Sequence, residues 1–246
     1  NHLLSQYNIY RSELLAHRPV QYVLHESWFA GQRFYVDENV LIPRPETEEL
    51  VDWALQTIAA SDALTPSDLH IPAPTASGAL LDVGTGSGCI AIAIAAKLPS
   101  LPIHACDIST GALQIAGRNA TNLGAHIGFH HLDFLDRYSW TSIPPIRWLV
   151  SNPPYIPANE RLTLAPHVID AEPALALFVP DSDPLVFYYA LAEFARVRLM
   201  AGGAVLVEIH EDRSDAVREV FRKAGAAAVE ARKDLMGKDR MIKATW

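Results

Sequence analysis

Positive charge is in short supply in this 246-residue chain: 20 Lys and Arg stand against 28 Asp and Glu, a formal net charge of −8. A protein whose partner is a nucleic-acid backbone draws most of its affinity from phosphate contacts and carries a basic patch to make them. The thin scatter of lysine and arginine here argues against such a partner. Cysteine is nearly missing. Cys89 and Cys106 are the two, they show no metal-ligand spacing, and they read as small core residues of a protein kept in a reducing compartment. Long apolar runs are missing as well; the longest, around residues 89–96, is broken by Lys97, short of what a bilayer requires. No membrane partner is expected, no signal peptide is expected from the residues present, and the expected location is cytoplasmic. Because the chain opens on Asn1 rather than methionine, a preceding amino-terminal portion is expected.

Half of the residues are hydrophobic, and the length suits one α/β domain with an appendage. Residues 1–18 carry a loose helical pattern (Leu3, Leu4, Tyr7, Leu14, Leu15) that Pro19 ends. From Pro19 to Ile42, Tyr22, Val23, Trp28, Phe29, Phe34, Tyr35 and Val36 alternate around two turn signals and predict a β-hairpin packed over one edge of the downstream domain. Pro45 and Glu46, Glu48 and Glu49 suit the first turn of a helix with Leu50, Trp53, Ala54, Thr57 and Ile58 inward. Residues 61–77, rich in Ser, Ala, Pro and Thr, read as a linker or long surface loop.

From Ala79 strands and helices alternate, which predicts a mostly parallel sheet with helices on both faces. Strands are expected at residues 79–83, 102–106, 128–131, 146–150 and 204–209, and helices at 89–98, 109–123, after Asp183-Pro184, and around Val217, Val220 and Phe221. Gly124, Gly202-Gly203 and Gly225 read as helix stops. Two last strands, 227–232 and 241–246, read as an antiparallel pair at one edge.

Between the first of these strands and its helix lies Asp82-Val83-Gly84-Thr85-Gly86-Ser87-Gly88. Glycines let the backbone approach a ligand, and the following helix start offers free N–H groups, so the loop reads as a cofactor cradle. Gly86-x-Gly88-x-x-Ala91 also fits a loose dinucleotide fingerprint. Four features bear on S-adenosylmethionine. Asp82, just before the first glycine, can organise the loop and its contacts with a cationic amino-acid group. Asp107, ending the second strand, can accept both ribose hydroxyls, though dinucleotide enzymes use an acid there too. After the third strand, Asp133 can meet the adenine amino group while Phe134 covers its face; Phe134 serves equally as core. The last feature is Ser151-Asn152-Pro153-Pro154-Tyr155, where the fourth strand stops.

Two prolines hold Asn152 and Pro153 extended and donate no N–H, leaving the Asn152 side chain and the backbone carbonyls of Asn152 and Pro153 as acceptors. Such a corner suits a planar NH2 group, with Tyr155 against its face. A rigid strand-to-loop turn with a packed tyrosine satisfies the same residues. Other chemistries fare worse on spacing. Ser87 lacks a Gly-x-Ser-x-Gly elbow, no Gly-Lys-Ser/Thr phosphate loop is present, and the ten histidines, His130-His131 included, never fall into a zinc pattern.

These motifs, together with Leu41-Ile42-Pro43-Arg44-Pro45-Glu46-Thr47-Glu48, Glu172-Pro173 and Asp234-Leu235-x-Gly237-Lys238-Asp239-Arg240, resemble the HemK/PrmC family from about Pro19 onward. The resemblance implies a Rossmann-like methyltransferase fold with a mostly parallel seven-stranded sheet and an antiparallel edge. It implies transfer of a methyl group from S-adenosyl-L-methionine, leaving S-adenosyl-L-homocysteine, to N5 of the glutamine in the Gly-Gly-Gln motif of class 1 peptide chain release factors. Catalytic roles then fall to Asn152, Pro153 and Tyr155. Cofactor contacts fall to Asp82, Gly84, Thr85, Gly86, Ser87, Gly88, Asp107, Asp133, Phe134 and Asn152, and substrate contacts to residues Asn152 to Tyr155, Pro154 included. The substrate glutamine is expected between Tyr155 and the Pro43-Arg44-Pro45 turn.

The division expected is a remnant of an amino-terminal helical domain (1–18), a hairpin and linker (19–45) and the methyltransferase domain (46–246). The chain departs from the family after the fifth strand, where Glu208-Ile209-His210-Glu211 replaces a glutamate followed closely by glycine. Glu172-Pro173 and Asp181 to Asp183 read as a solvated loop ahead of the alternative, that they shape the substrate channel. The competing readings are a DNA adenine N6-methyltransferase, which shares the cradle and the corner but must flip a base, and an inactive cofactor-binding module.

Overall fold

A computed structural model of the chain describes residues 2–63, 78–163 and 166–246. Two helices, α1 (His2–Leu15) and α2 (Val20–Leu24), precede a small hairpin of β1 (Ser27–Phe29) and β2 (Gln32–Phe34). Helix α3 (Pro45–Ala63) leads to the alternating part: β3 (Ala79–Val83), α4 (Cys89–Lys97), β4 (Ile103–Asp107), α5 (Thr110–Leu123), β5 (Gly128–His131) and β6 (Ile146–Ser151). A short excursion carries β7 (Ile156–Pro157), α6 (Pro166–Ala171), α7 (Ala174–Leu177) and β8 (Phe178–Val179). The chain then runs through α8 (Val186–Arg198), β9 (Leu199–Glu208), α9 (Ser214–Lys223), β10 (Ala228–Lys233) and β11 (Asp239–Thr245).

The main sheet has seven strands in the order β10-β11-β9-β6-β3-β4-β5. The five from β9 to β5 are parallel, and β11 runs antiparallel to both β9 and β10. Alternation along the strands builds two cores, because successive side chains leave a strand on opposite faces. Leu80, Trp148, Val150 and Leu206 join α3 and α4 on one face; Leu81, Leu149, Val205 and Val207 join α8 and α9 on the other. The predicted sheet, its antiparallel edge and the helices on both faces are all present. Helix α5 begins where Ser109 accepts the Ala112 N–H at 3.1 Å, and it ends at Gly124 in the left-handed conformation, as its sequence dictates. Among the described residues no helix is long and apolar enough to cross a membrane.

The hairpin is shorter than predicted: Tyr22 and Val23 lie in α2, whose Tyr22 hydroxyl donates to the Val40 carbonyl at 2.6 Å. Pro19, at the start of that turn, outweighs the β-propensity of the residues behind it. The hairpin pairs only with itself. Phe29 and Phe34 enter the core of α3 and α4, and Val36, Val40 and Ile42 close on Ala112 and Ile115 of α5, so the segment rests on helices and not on a sheet edge.

Gly202-Gly203 does not stop α8, which ends at Arg198; the pair lies inside β9. Pairing slips there from Ile146↔Leu199 to Trp148↔Ala204, and a Cβ on Gly203 would stand 2.5 Å from the Arg147 carbonyl oxygen. The glycine serves a bulge in the strand. Residues 61–63 of the predicted loop belong to α3, which runs to Ala63; the rest of that prediction, residues 64–77, lies outside the described residues.

Candidate functional site

The sheet order sets β6, β3, β4 and β5 side by side, and each ends in one of the segments singled out in the sequence. Ligands of open α/β sheets bind beyond this carboxyl edge. A cavity of about 220 Å³ lies there, touched by Gly84 to Ser87 after β3, Asp107 after β4, Asp133 and Phe134 after β5, and Asn152 to Pro154 after β6. Cys89 and Cys106, both buried and free, face it as well.

The glycine loop is held from behind. Gly84 and Thr85 N–H groups donate to the Cys106 carbonyl at 2.9 and 3.1 Å, and Asp82 Oδ2 accepts from Thr85 Oγ1 at 2.7 Å and from the Ala91 N–H at 3.2 Å. Asp82 is fully buried and does not line the cavity; burial raises it to about 7. It holds the loop from beneath, through Thr85 and Ala91. Gly88 is also set back, at φ 82° and against Ile92 and Ala116, where it brings α4 close to α5. Gly84 and Gly86 have positive φ and open space where a side chain would project, so backbone is what a ligand meets there. The Ser87 hydroxyl is buried beside the Cys89 thiol.

Asp107 Oδ2 accepts the Gly86 N–H at 3.0 Å and Oδ1 the Ser109 N–H at 2.9 Å. Burial raises its pKa, and the two N–H groups work against that rise. Asp133 is exposed, its Oδ1 accepting the Leu135 N–H at 2.9 Å. Phe134 is both core and lining: it packs on Trp140 and Phe194 with ring centroids 5.5 and 5.3 Å away, and it also touches the cavity.

At the Asn152 corner the sequence reading missed the residues that fix the amide. Asn152 Nδ2 donates to Thr47 Oγ1 at 3.0 Å, Thr47 Oγ1 donates to Glu208 Oε2 at 2.6 Å, and the Tyr155 hydroxyl donates to Glu208 Oε1 at 3.1 Å. Glu208, at the end of β9, is 2% exposed, and burial raises its pKa. Tyr155 is raised too, by burial and then by Glu208. The sequence did offer one signal: a glutamate closing a central strand of this sheet stands at the ligand edge.

Opposite the corner, Arg44 pairs with Glu172, Nη2 to Oε1 at 2.6 Å, and Glu172 Oε2 accepts the Ile42 N–H at 3.3 Å. Glu172 is therefore buried, not solvated as expected, because the Pro43-Arg44-Pro45 turn folds over it. A second cavity of about 180 Å³ lies between Arg44 and Leu41 on one side and Pro153, Tyr155 and Ile156 on the other. Asn152, Pro153 and Arg44 line both cavities, so Asn152 stands where the two meet.

A sequence profile described as "Methyltransferase small domain" matches residues 61–175. The release factor glutamine methyltransferase of Flavobacterium psychrophilum is 38% identical over 243 residues, covering 99% of this chain and 81% of that protein. The protein of the same name from Chlorobaculum tepidum is 42% identical over 212 residues, 85% of this chain and 68% of that protein. Among solved structures, the "delta-N METTL16 MTase domain" superposes with a TM-score of 0.57 at 16% identity, covering 87% of this chain and 86% of that one, a likeness of fold.

Proposed function

The chain belongs to the release factor glutamine methyltransferase family, and on that premise we propose that it transfers a methyl group from S-adenosylmethionine to N5 of a glutamine side chain, the one in the Gly-Gly-Gln motif of class 1 peptide chain release factors. The observation that carries this reading is the orientation of Asn152. Its NH2 is engaged by Thr47, so its carbonyl oxygen is the group left to meet a substrate NH2 where the two cavities join.

The cofactor fits the residues present. Open space over Gly84 and Gly86, the cavity-lining hydroxyl of Ser87 and the carboxylate of Asp107 suit a ligand with an amino-acid end and a ribose, and Phe134 and Asp133 suit its adenine. S-adenosylmethionine, when bound, supplies an electrophilic methyl group on a sulfonium. The chain's own contribution is chiefly to position the nucleophile. An amide nitrogen is weakly nucleophilic because its lone pair is delocalised. Asn152 Oδ1 and the Pro153 carbonyl hold its two N–H groups and stabilise the positive charge that develops on nitrogen, electrostatic assistance from preorganised dipoles. Tyr155, fixed through Glu208, and Pro154 wall the acceptor side, and Arg44 faces them.

A protein loop reaching the second cavity needs no basic surface, in keeping with the net charge of −8. Glycines beside the glutamine let the substrate backbone come close. Acting in translation termination, the enzyme works in the cytoplasm, with neither nucleic acid nor membrane as a partner.

Labelled S-adenosylmethionine is offered with a purified class 1 release factor, with its Gln→Ala variant and with unmethylated duplex DNA. Label is expected in the intact release factor alone. Label in the DNA, or persisting at the same peptide of the alanine variant, would overturn the amide assignment, and the relatives give no support to the DNA alternative.

A further inference from the structure

We infer that Thr47 and Glu208 are positioning residues that set the polarity of Asn152, a role that rests on the reaction proposed above. Glu208 accepts one hydrogen from the Thr47 hydroxyl at 2.6 Å and one from Tyr155 at 3.1 Å. Thr47 has a single hydrogen and has committed it. What remains on its oxygen is lone pairs, and only a donor is tolerated 3.0 Å away. The Asn152 side chain therefore turns its NH2 to Thr47 and its oxygen away from it.

This settles an amide orientation that shape alone leaves open, since the two ends of an asparagine are nearly equal in size. It also settles reactivity. With the amide reversed, Asn152 would present N–H groups to the N–H groups of an incoming glutamine, and the acceptor would be lost. Burial makes the arrangement strict: Thr47 and Glu208 are each 2% exposed, so water does not readily substitute for either partner. The same carboxylate reads out on Tyr155, so one group aligns both the amide and the aromatic wall of the second cavity. The three residues come from α3, the turn after β6 and the end of β9, and nothing local in the sequence relates them.

The test uses Thr47→Val, which keeps the shape and removes the hydroxyl, Thr47→Ser, which restores it, and Asn152→Ala, alone and combined with Thr47→Val. Melting curves and cofactor calorimetry establish that each variant is folded and loaded. For a release factor substrate, Thr47→Val is expected to lower kcat on the order of 10- to 100-fold, the range for losing a charge-assisted hydrogen-bond link, with cofactor affinity unchanged. Thr47→Ser is expected to recover most of the rate. In the Asn152→Ala background, adding Thr47→Val is expected to cost little more, because the group it orients is gone. A merely structural role predicts multiplied losses in the double variant and no rescue by serine, and either result overturns the inference, as does a Thr47→Val rate within twofold of the unaltered chain. Failure of the unaltered chain to label any release factor is a different outcome: it overturns the proposed reaction, and this inference with it.

Discussion

Substituting alanine at Gly86 and at Gly88 separates what the two glycines of the cofactor loop are for. Both have positive φ, 53° and 82°, so either alanine pays the left-handed backbone cost of about 1–2 kcal/mol. The surroundings differ. A Cβ on Gly86 meets nothing within 4 Å, whereas one on Gly88 stands 3.0 Å from Ile92 Cδ1, 3.2 Å from Ala116 Cβ and 3.3 Å from Ala116 Cα. Ile92 can turn its terminal methyl, but the backbone of α5 cannot give way alone, so overpacking adds roughly 1–3 kcal/mol at Gly88. Gly88→Ala is therefore expected to be the less stable by that difference, a gap in melting temperature of about 2–12 °C for a chain of this size.

Affinity is expected to run the other way. The added methyl at Gly86 projects into the space where backbone meets ligand, so Gly86→Ala weakens cofactor binding, while folded Gly88→Ala binds nearly as well as the unaltered chain. Thermal scans and calorimetry with S-adenosylhomocysteine measure both. Equal melting temperatures, or weaker binding in Gly88→Ala than in Gly86→Ala, would refute the argument that one glycine serves the ligand and the other the packing of α4 on α5.

The buried acids give two more expected outcomes. Asp107→Ala is expected to weaken S-adenosylmethionine binding by roughly 1–3 kcal/mol, since it strips the Gly86 and Ser109 N–H groups of their acceptor and removes the ribose contact; unchanged affinity by calorimetry would move the ribose elsewhere. Burial lifts Asp82 from its ordinary value near 4 to about 7, so between those values the folded chain keeps a proton that the unfolded chain has released. Stability contributed at this site then falls as pH rises through that window and levels off above it. Asp82→Asn is expected to flatten the pH dependence of urea unfolding between pH 4 and 7, and an unchanged slope would contradict the assignment.

What was legible in the sequence is what is encoded locally. Ser109 and Gly124 delimit α5 because cap and stop lie within a turn of the helix they bound. The glycine loop declares itself because strand, loop and helix are consecutive. Tyr22 and Val23 were misread because β-propensity is a weak preference, and the Pro19 start with the Tyr22 hydroxyl on Val40 overrides it. Gly203 was misread because its reason, the approach of the Arg147 carbonyl, belongs to a neighbouring strand. The candidate site divides in the same way. Asn152 and Asp107 announce themselves at strand ends, but Thr47 and Glu172 were only parts of motifs and Glu208 only a departure. Their partners are 105 to 161 residues distant, and no spacing rule spans such an interval.

That long reach bears on when a newly made chain becomes competent. The hydroxyl of Thr47 waits for a carboxylate 161 residues downstream, and Arg44 waits for one 128 residues downstream. At about 5–20 residues per second, the interval from Thr47 to Glu208 occupies a ribosome for roughly 8–30 s. During that time the cofactor loop, Asp107 and then the Asn152 corner are synthesised in turn, yet the amide has no fixed direction. A product of premature termination between Tyr155 and Glu208 keeps the cradle's own residues but lacks the anchor that orients the acceptor, so competence arrives late in synthesis, with the end of β9.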